Sequence, residues 1–241
     1  MTKTFKVLSI LLSYPAQEWL SAIPDFEGVL RAEGVLPPEA LAEVAAFLED
    51  LRTVDPIEAQ SRYVRLFDQT RALSLHLFEH VHGDSRERGQ AMVDLLKMYE
   101  DKGLYIGTKE LPDHVPLFLE FLSEMPLAEA RETLAQPIHI FAALAERLRR
   151  RDSGYAAVMA AIVAAAQATV DPDEVAPLLS MPEDDPDDLE ALDEIWEEEA
   201  VTFGGGAGDD SCGPDRLQRQ VRAANRVAPT VETNKPEVRH G

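Results

Sequence analysis

Apolar residues recur at helical spacing along most of the first 170 positions. Sets at i, i+3, i+4 and i+7 each place one apolar stripe on one helix face. No segment shows the alternation of β-branched residues that marks a strand, so no sheet is predicted. The stripes must pack on one another, which predicts an all-α, single globular multi-helix bundle. The clearest sets are Leu41, Val44, Ala45 and Leu48; Met92, Leu95, Leu96 and Tyr99; Phe118, Phe121, Leu122 and Met125; Phe141, Leu144, Ala145 and Leu148; and Val158, Ala161, Ile162 and Ala165.

Proline, glycine and capping residues mark the helix boundaries. Pro38, Pro56 and Pro137 can each occupy the first turn of a helix, and Asp55 is a suitable N-cap before Pro56. Residues 153–154, Ser-Gly, separate two helices. This punctuation predicts about eight to ten helices before residue 180. No repeat of 34 to 45 residues occurs, which favours one bundle over a helical array.

The acidic residues are concentrated near the C-terminus. The whole chain has 23 Lys+Arg and 44 Asp+Glu, a net charge of −21, but residues 171–210 contain 16 acidic residues and no Lys or Arg. Beyond residue 182, four apolar residues are spaced to form one short acidic helix: Leu189, Leu192, Ile195 and Trp196. We therefore predict a helical domain at 1–182, an acidic helix at 183–202 and a flexible, disordered tail at 203–241.

Composition also excludes several classes of protein. A surface this acidic repels phosphate backbones, which argues against a nucleic-acid partner. The single cysteine, Cys212, excludes a disulfide scaffold and fits a reducing compartment. The apolar stretch at 7–12 is too short for a signal sequence, and no window reaches the ~18 apolar residues that a membrane helix needs. A cytoplasmic protein without membrane insertion is predicted.

One short motif has the spacing of a zinc site. His76, Glu79 and His80 read H-x-x-E-H, and on a helix the two histidines would share one face. The glutamate could then polarise a metal-bound water, so a zinc-dependent hydrolase is an alternative function. No third ligand stands in a supporting motif, however. The plainer interpretation is a pair of ordinary hydrogen-bonded imidazoles.

Two cations follow at the predicted start of the next helix. Arg86 and Arg88 come shortly after Gly83, in a first turn where the helix dipole disfavours positive charge. Cations there need either a nearby carboxylate or a bound anionic group. A salt bridge to Glu79 or to another acidic residue is the plainer of these two interpretations.

A third polar motif precedes the most apolar helix. Asp113 is expected to cap that helix, which would hold Pro116 at its third position, and His114 would project beside Glu110. An Asp–His pair suggests general-base chemistry. No serine or cysteine stands in a recognisable nucleophile motif, and Cys212 lies in the tail. The residues alone therefore predict a binding protein or general helical adaptor rather than an enzyme.

Four segments, in order along the chain, together indicate a family. They are Leu11–Pro15, Tyr63–Asp68, Leu73–Leu96 and Glu110–Ser123. This combination resembles the NarJ-type nitrate reductase molybdenum cofactor assembly chaperones, a branch of the TorD-like redox-enzyme maturation chaperones. The resemblance extends over residues 3–200 and leaves the end of the tail unaccounted for.

The resemblance implies a fold, a partner and a task. Members are all-helical cytoplasmic chaperones that hold no cofactor permanently. They bind the N-terminal segment of the catalytic (alpha) subunit of respiratory nitrate reductase. They keep this client competent to receive molybdopterin guanine dinucleotide and an iron–sulfur cluster before it docks on the membrane. Proteins of molybdenum cofactor biosynthesis are further expected partners.

The residues that we expect to contact the client all belong to the two longer motifs, and this placement is our own hypothesis. We expect His80, Arg86, Asp113 and His114 to lie near one groove. No residue is assigned to catalysis or to a metal. The full set of expected partner-binding residues is His80, Gly83, Arg86, Arg88, Glu110, Pro112, Asp113, His114, Glu120 and Phe121.

Overall fold

The computed structural model describes residues 1–82, 86–107 and 110–181, apart from the side chains of His82 and Arg86. The expected acidic helix and tail lie outside these residues. The described part contains twelve α-helices, a 3₁₀ turn at Arg71–Leu73 and no strand beyond one isolated bridge. The helices are α1 (Lys3–Leu11), α2 (Gln17–Leu20), α3 (Ile23–Glu33), α4 (Pro38–Thr53), α5 (Pro56–Phe67), α6 (Glu79–His82), α7 (Arg86–Asp101), α8 (Val115–Glu124), α9 (Leu127–Ala135), α10 (Ile138–Arg150), α11 (Tyr155–Ala166) and α12 (Pro172–Ser180).

The predicted all-α fold is confirmed, and the described residues all fall within one compact unit, Met1–Asp193. Twelve helices are observed where eight to ten were predicted. The difference arises because α2 and α6 have only four residues each, too few to show a helical period. None of the described helices is both long and apolar enough to cross a bilayer.

Helix α11 lies at the centre of the core. Its sequence is apolar on every side, which is typical of a helix surrounded by others. It packs on α10, α4 and α9, while α1 and α8 form a second close pair. Asp55 caps α5 as predicted, because its carboxylate accepts a hydrogen bond from the Ile57 N–H at 2.9 Å.

A buried arginine fastens two peripheral elements to α10. Arg147 is only 2% exposed. Its guanidinium donates to the carbonyl oxygen of Ala72, in the 3₁₀ turn, at 2.5 Å, and to the carbonyl oxygen of Leu178 in α12. A buried guanidinium is costly unless it is hydrogen-bonded, and so is a buried carbonyl without a donor. The three groups therefore stabilise one another.

We predict that Arg147→Met destabilises the fold by about 2–5 kcal/mol, because two carbonyls lose a charged donor. The matched control is Arg149→Met, since Arg149 is 60% exposed and pairs with Glu146 on the surface. That control should cost less than about 1 kcal/mol. Urea unfolding followed by circular dichroism measures both, and equal losses would contradict the role given to Arg147.

Candidate functional site

Two segments that are distant in sequence lie side by side at the candidate site. The Leu77 N–H donates to the Asp113 carbonyl at 3.1 Å, and the Val115 N–H donates to the Leu75 carbonyl at 2.8 Å. These bonds form an isolated antiparallel bridge that pairs His76 with His114. The segment before α6 is thus joined to the segment before α8.

The bridge excludes the helical arrangement of residues 76–80 that the zinc-site alternative required. Helix α6 begins only at Glu79, so His76 stands outside it and shares no helix face with His80. The physical reason is that the backbone of Leu75 and Leu77 bonds to the neighbouring segment instead of to its own turn. Within the described residues, no group of three or more His, Cys, Asp or Glu side chains has the arrangement to hold a metal ion.

Asp113 is the centre of this arrangement. Its side chain is completely buried. One carboxylate oxygen accepts a hydrogen bond from the Phe78 N–H at 3.0 Å, and the other lies 3.2 Å from His76 Nδ1. The prediction that Asp113 caps the next helix is therefore wrong. Helix α8 begins after His114 without a side-chain cap, and Pro116 in its first turn has no N–H that would need one.

Three imidazoles near this carboxylate have pKa values that are shifted in different directions. The hydrogen bond that His76 donates to the Asp113 carboxylate raises the pKa of His76 above its ordinary value of 6.5. Burial lowers the pKa of His80, whose Nε2 lies 2.9 Å from the Ser74 carbonyl oxygen. Burial also lowers the pKa of His114, whose ring centroid lies 5.3 Å from that of His76. Near neutral pH, His76 is the imidazole of the three most ready to carry a proton.

Of the two arginines in the sequence motif, the structure describes the side chain of Arg88 only. Arg88 forms the salt bridge expected with Glu79, at 3.1 Å, with both side chains partly buried. Helix α7 begins at Arg86, as expected for a cation in a first turn. The Arg86 side chain and Gly83 lie outside the described residues. The structure brings His80, Asp113 and His114 to the two bridged segments, and their contact with a client remains a prediction.

The other expected contact residues lie in varied surroundings. The carbonyl oxygen of Pro112 accepts a hydrogen bond from the Tyr99 hydroxyl at 2.8 Å. The Tyr99 ring packs on Phe121, which is only 3% exposed and belongs to the core rather than the surface. Glu110 is exposed. Glu120 is half exposed and forms an ion pair with Lys6 of α1.

Sequence reasoning missed two exposed apolar residues beside this cluster. Val81 follows His80 and is 52% exposed, and Leu111 precedes Pro112 and is 45% exposed. Each stands in a mixed sequence context, so no periodicity distinguishes it from a core residue. Their exposure adds apolar contact area next to the polar cluster.

We predict that Asp113→Asn lowers the pKa of His76, because the carboxylate that favours the imidazolium becomes a neutral amide. Nuclear magnetic resonance titration of the His ring signals measures this. In the unmodified chain His76 should titrate above 6.5 and both His80 and His114 below it. The control Asp55→Asn replaces the exposed N-cap of α5, and it should leave the pKa values of all three histidines unchanged. An unaltered His76 pKa in Asp113→Asn would contradict the assignment.

The same shifts fix how stability depends on pH. The folded pKa of His76 is raised, so the stabilisation from its pair with Asp113 is complete below about pH 6.5 and is lost as pH rises through that folded pKa. The folded pKa values of His80 and His114 are lowered. Their contribution is therefore present above about pH 6.5 and is lost as pH falls toward those values. The two trends oppose each other around neutral pH.

Comparison with known proteins places the chain in a family. Residues 36–161 match the family model described as nitrate reductase delta subunit. The chain is 44% identical over 225 residues to the nitrate reductase molybdenum cofactor assembly chaperone NarJ of Escherichia coli, which covers 92% of this chain and 93% of that one. It is 37% identical over 198 residues to NarW of the same organism, covering 82% of each chain. These relatives are named as chaperones and not as enzymes.

A solved structure supports the fold alone. The crystal structure of a redox enzyme maturation protein from Archaeoglobus fulgidus superposes with a TM-score of 0.51 at 24% identity. The match covers 68% of this chain and 91% of that one. The family resemblance expected from the sequence motifs is confirmed by these comparisons.

Proposed function

The chain belongs to the nitrate reductase delta subunit family, and we propose that it is an assembly chaperone for the molybdenum cofactor of a nitrate reductase. The observation that carries the proposal is the 44% identity to Escherichia coli NarJ over nearly the whole of both chains. A relationship of that length includes both bridged segments of the candidate site. It therefore supports a shared task as well as a shared fold.

The proposed client is the catalytic subunit of the reductase, bound through its N-terminal segment. An amphipathic helix from a client can bury its apolar face against exposed apolar side chains. Val81 and Leu111 offer such side chains beside the His76–Asp113 pair. The net charge of −21 would also attract a basic segment and hold it away from anionic lipid.

In this proposal the polar cluster holds the binding surface in shape. Asp113 fixes the backbone of Phe78 and the ring of His76, which sets the distance between the segments that carry Val81 and Leu111. A preformed surface loses less conformational entropy when a peptide binds. The chaperone then keeps the client open in the cytoplasm until molybdopterin guanine dinucleotide and an iron–sulfur cluster have been inserted. Proteins that synthesise the cofactor would meet the same complex.

Co-purification tests this proposal. A tagged full-length chain should retain the catalytic subunit of the reductase from its own cells, and a client lacking its N-terminal segment should bind far less. Leu111→Asp should reduce retention at least tenfold, because it places a charge on the apolar contact. Ile57→Asp is the matched control, since Ile57 is 72% exposed on α5. It should leave retention unchanged.

Two other outcomes count against the proposal. Equal retention by the Leu111 and Ile57 variants would remove the bridged segments from the binding surface. Failure to retain any reductase subunit would favour a general helical adaptor. The zinc hydrolase alternative is not proposed, because the helix that would bring His76 and His80 onto one face does not form.

A further inference from the structure

Helix α7 adds little to the core of the fold, yet it contacts both parts of the candidate site. Of its side chains that the structure describes, only Leu95 and Tyr99 are buried. By contrast, seven of the ten residues of α8 are buried. Most of the stability of a helix in a protein comes from the packing of one apolar face. The position of α7 is therefore set by the few contacts that its inner face makes.

That inner face reaches a different part of the site at each end of the helix. Arg88, Leu95 and Tyr99 follow one another at helical spacing and so share one face. At the start of α7 the Arg88 guanidinium pairs with Glu79 of α6 at 3.1 Å. Near its end the Tyr99 hydroxyl donates to the Pro112 carbonyl oxygen at 2.8 Å. At a rise of about 1.5 Å per residue, these two contacts lie about 16 Å apart along the helix.

Both contacts lie next to exposed apolar residues that stand beyond the backbone bridge. Val81 belongs to the single turn of α6, and Leu111 lies in the loop before the second bridged segment. A helix of one turn is not stable without tertiary contacts. The ion pair of Glu79 holds this turn two residues before Val81, and the hydrogen bond on Pro112 holds the loop directly after Leu111.

Tyr99 is itself fixed in place, so its hydroxyl can hold the carbonyl that it binds. The residue is 1% exposed, and its ring packs on Phe121 of α8 with the centroids 4.5 Å apart. Its backbone carbonyl accepts the N–H groups of Lys102 and Leu104, at 3.1 and 3.0 Å, where α7 ends. The end of α7 that meets the loop is therefore anchored to the core.

We propose that α7 is a brace that sets the spacing of Val81 and Leu111, with Arg88 and Tyr99 as its positioning residues. Arg88 holds α6 through Glu79, and Tyr99 holds the loop that carries Leu111. Neither positioning residue needs to touch the client. The value of the brace for client binding rests on the proposed function, whereas the brace itself is a property of the free chain. Separate experiments therefore test the two.

Hydrogen exchange in the free, full-length chain tests the brace at each end. The reporters are the Val81 amide in α6 and the His114 amide beside the loop, each hydrogen-bonded within its own segment. Arg88→Met should speed exchange of the Val81 amide by at least about threefold, because α6 opens more often without the ion pair. Tyr99→Phe should do the same to the His114 amide, because the loop loses one hydrogen bond.

Two control variants are matched to these changes. Tyr155→Phe also removes a buried hydroxyl, but that hydroxyl has no hydrogen-bond partner among the described residues. Lys102→Met removes a cation just beyond the end of α7, where it pairs with Glu129 on the surface at 2.6 Å. Neither control should alter exchange of the Val81 or His114 amide. Circular dichroism checks that each variant is folded.

A break inside α7 tests whether the helix itself maintains the spacing. Lys97 is exposed and lies between the two contacts. Lys97→Pro interrupts the helix there and retains both positioning residues, so both reporter amides should exchange faster. Lys97→Ala preserves the helix and should change neither.

Binding of a synthetic peptide tests the consequence for the client. The peptide has the sequence of the N-terminal segment of the nitrate reductase catalytic subunit, and calorimetry measures its affinity. Tyr99→Phe and Lys97→Pro should each weaken binding by at least about threefold, because the surface is less preformed. Tyr155→Phe and Lys97→Ala should leave the affinity unchanged. A peptide that does not bind the unmodified chain would contradict the proposed function, while the exchange rates would still decide on the brace.

Three results would overturn the inference. The first is unchanged exchange of the reporter amides in Arg88→Met, Tyr99→Phe and Lys97→Pro. The second is faster exchange confined to the amides of α11, since the Tyr99 hydroxyl would then stabilise the core rather than this surface. The third is faster exchange of both reporters with unaltered peptide affinity, which would show that the spacing does not matter for binding.

Discussion

The buried carboxylate of Asp113 is the constraint on which the candidate site depends. A carboxylate without water is costly unless donors surround it, and here the donors are the Phe78 N–H and the His76 ring, both from a segment more than 30 residues earlier. Satisfying this one group therefore joins two distant parts of the chain. It also raises the pKa of the His76 imidazole, through the hydrogen bond that the carboxylate accepts.

Much of the fold could be predicted from local sequence, because helices and their caps are local structures. The stripe from Phe118 to Met125 and the cap at Asp55 are examples that the structure confirms. The candidate site was harder to predict from the sequence, because its interactions join segments that are distant along the chain. Asp113 has the sequence context of a helix cap, yet its partners lie on another segment, and a single sequence contains no sign of that pairing. Phe121 belongs to an apolar stripe, and that role explains its burial better than contact with a client does.

The structure assigns different physical roles to different regions of one acidic chain. Arg147 fastens α12 and the 3₁₀ turn to α10 through backbone carbonyls. The bridged segments combine a fixed polar cluster with exposed apolar side chains, which suits recognition of a peptide.

The central claim, that this chain assists cofactor insertion, is tested most directly by the metal content of its client. Nitrate reductase would be purified from cells with and without the gene for this chain, and its molybdenum per catalytic subunit measured. The account predicts a large deficit of molybdenum in the reductase from cells without the chain, and its restoration when the chain is supplied again. Fully loaded reductase in cells that lack the chain, with no relative present to replace it, would contradict the account.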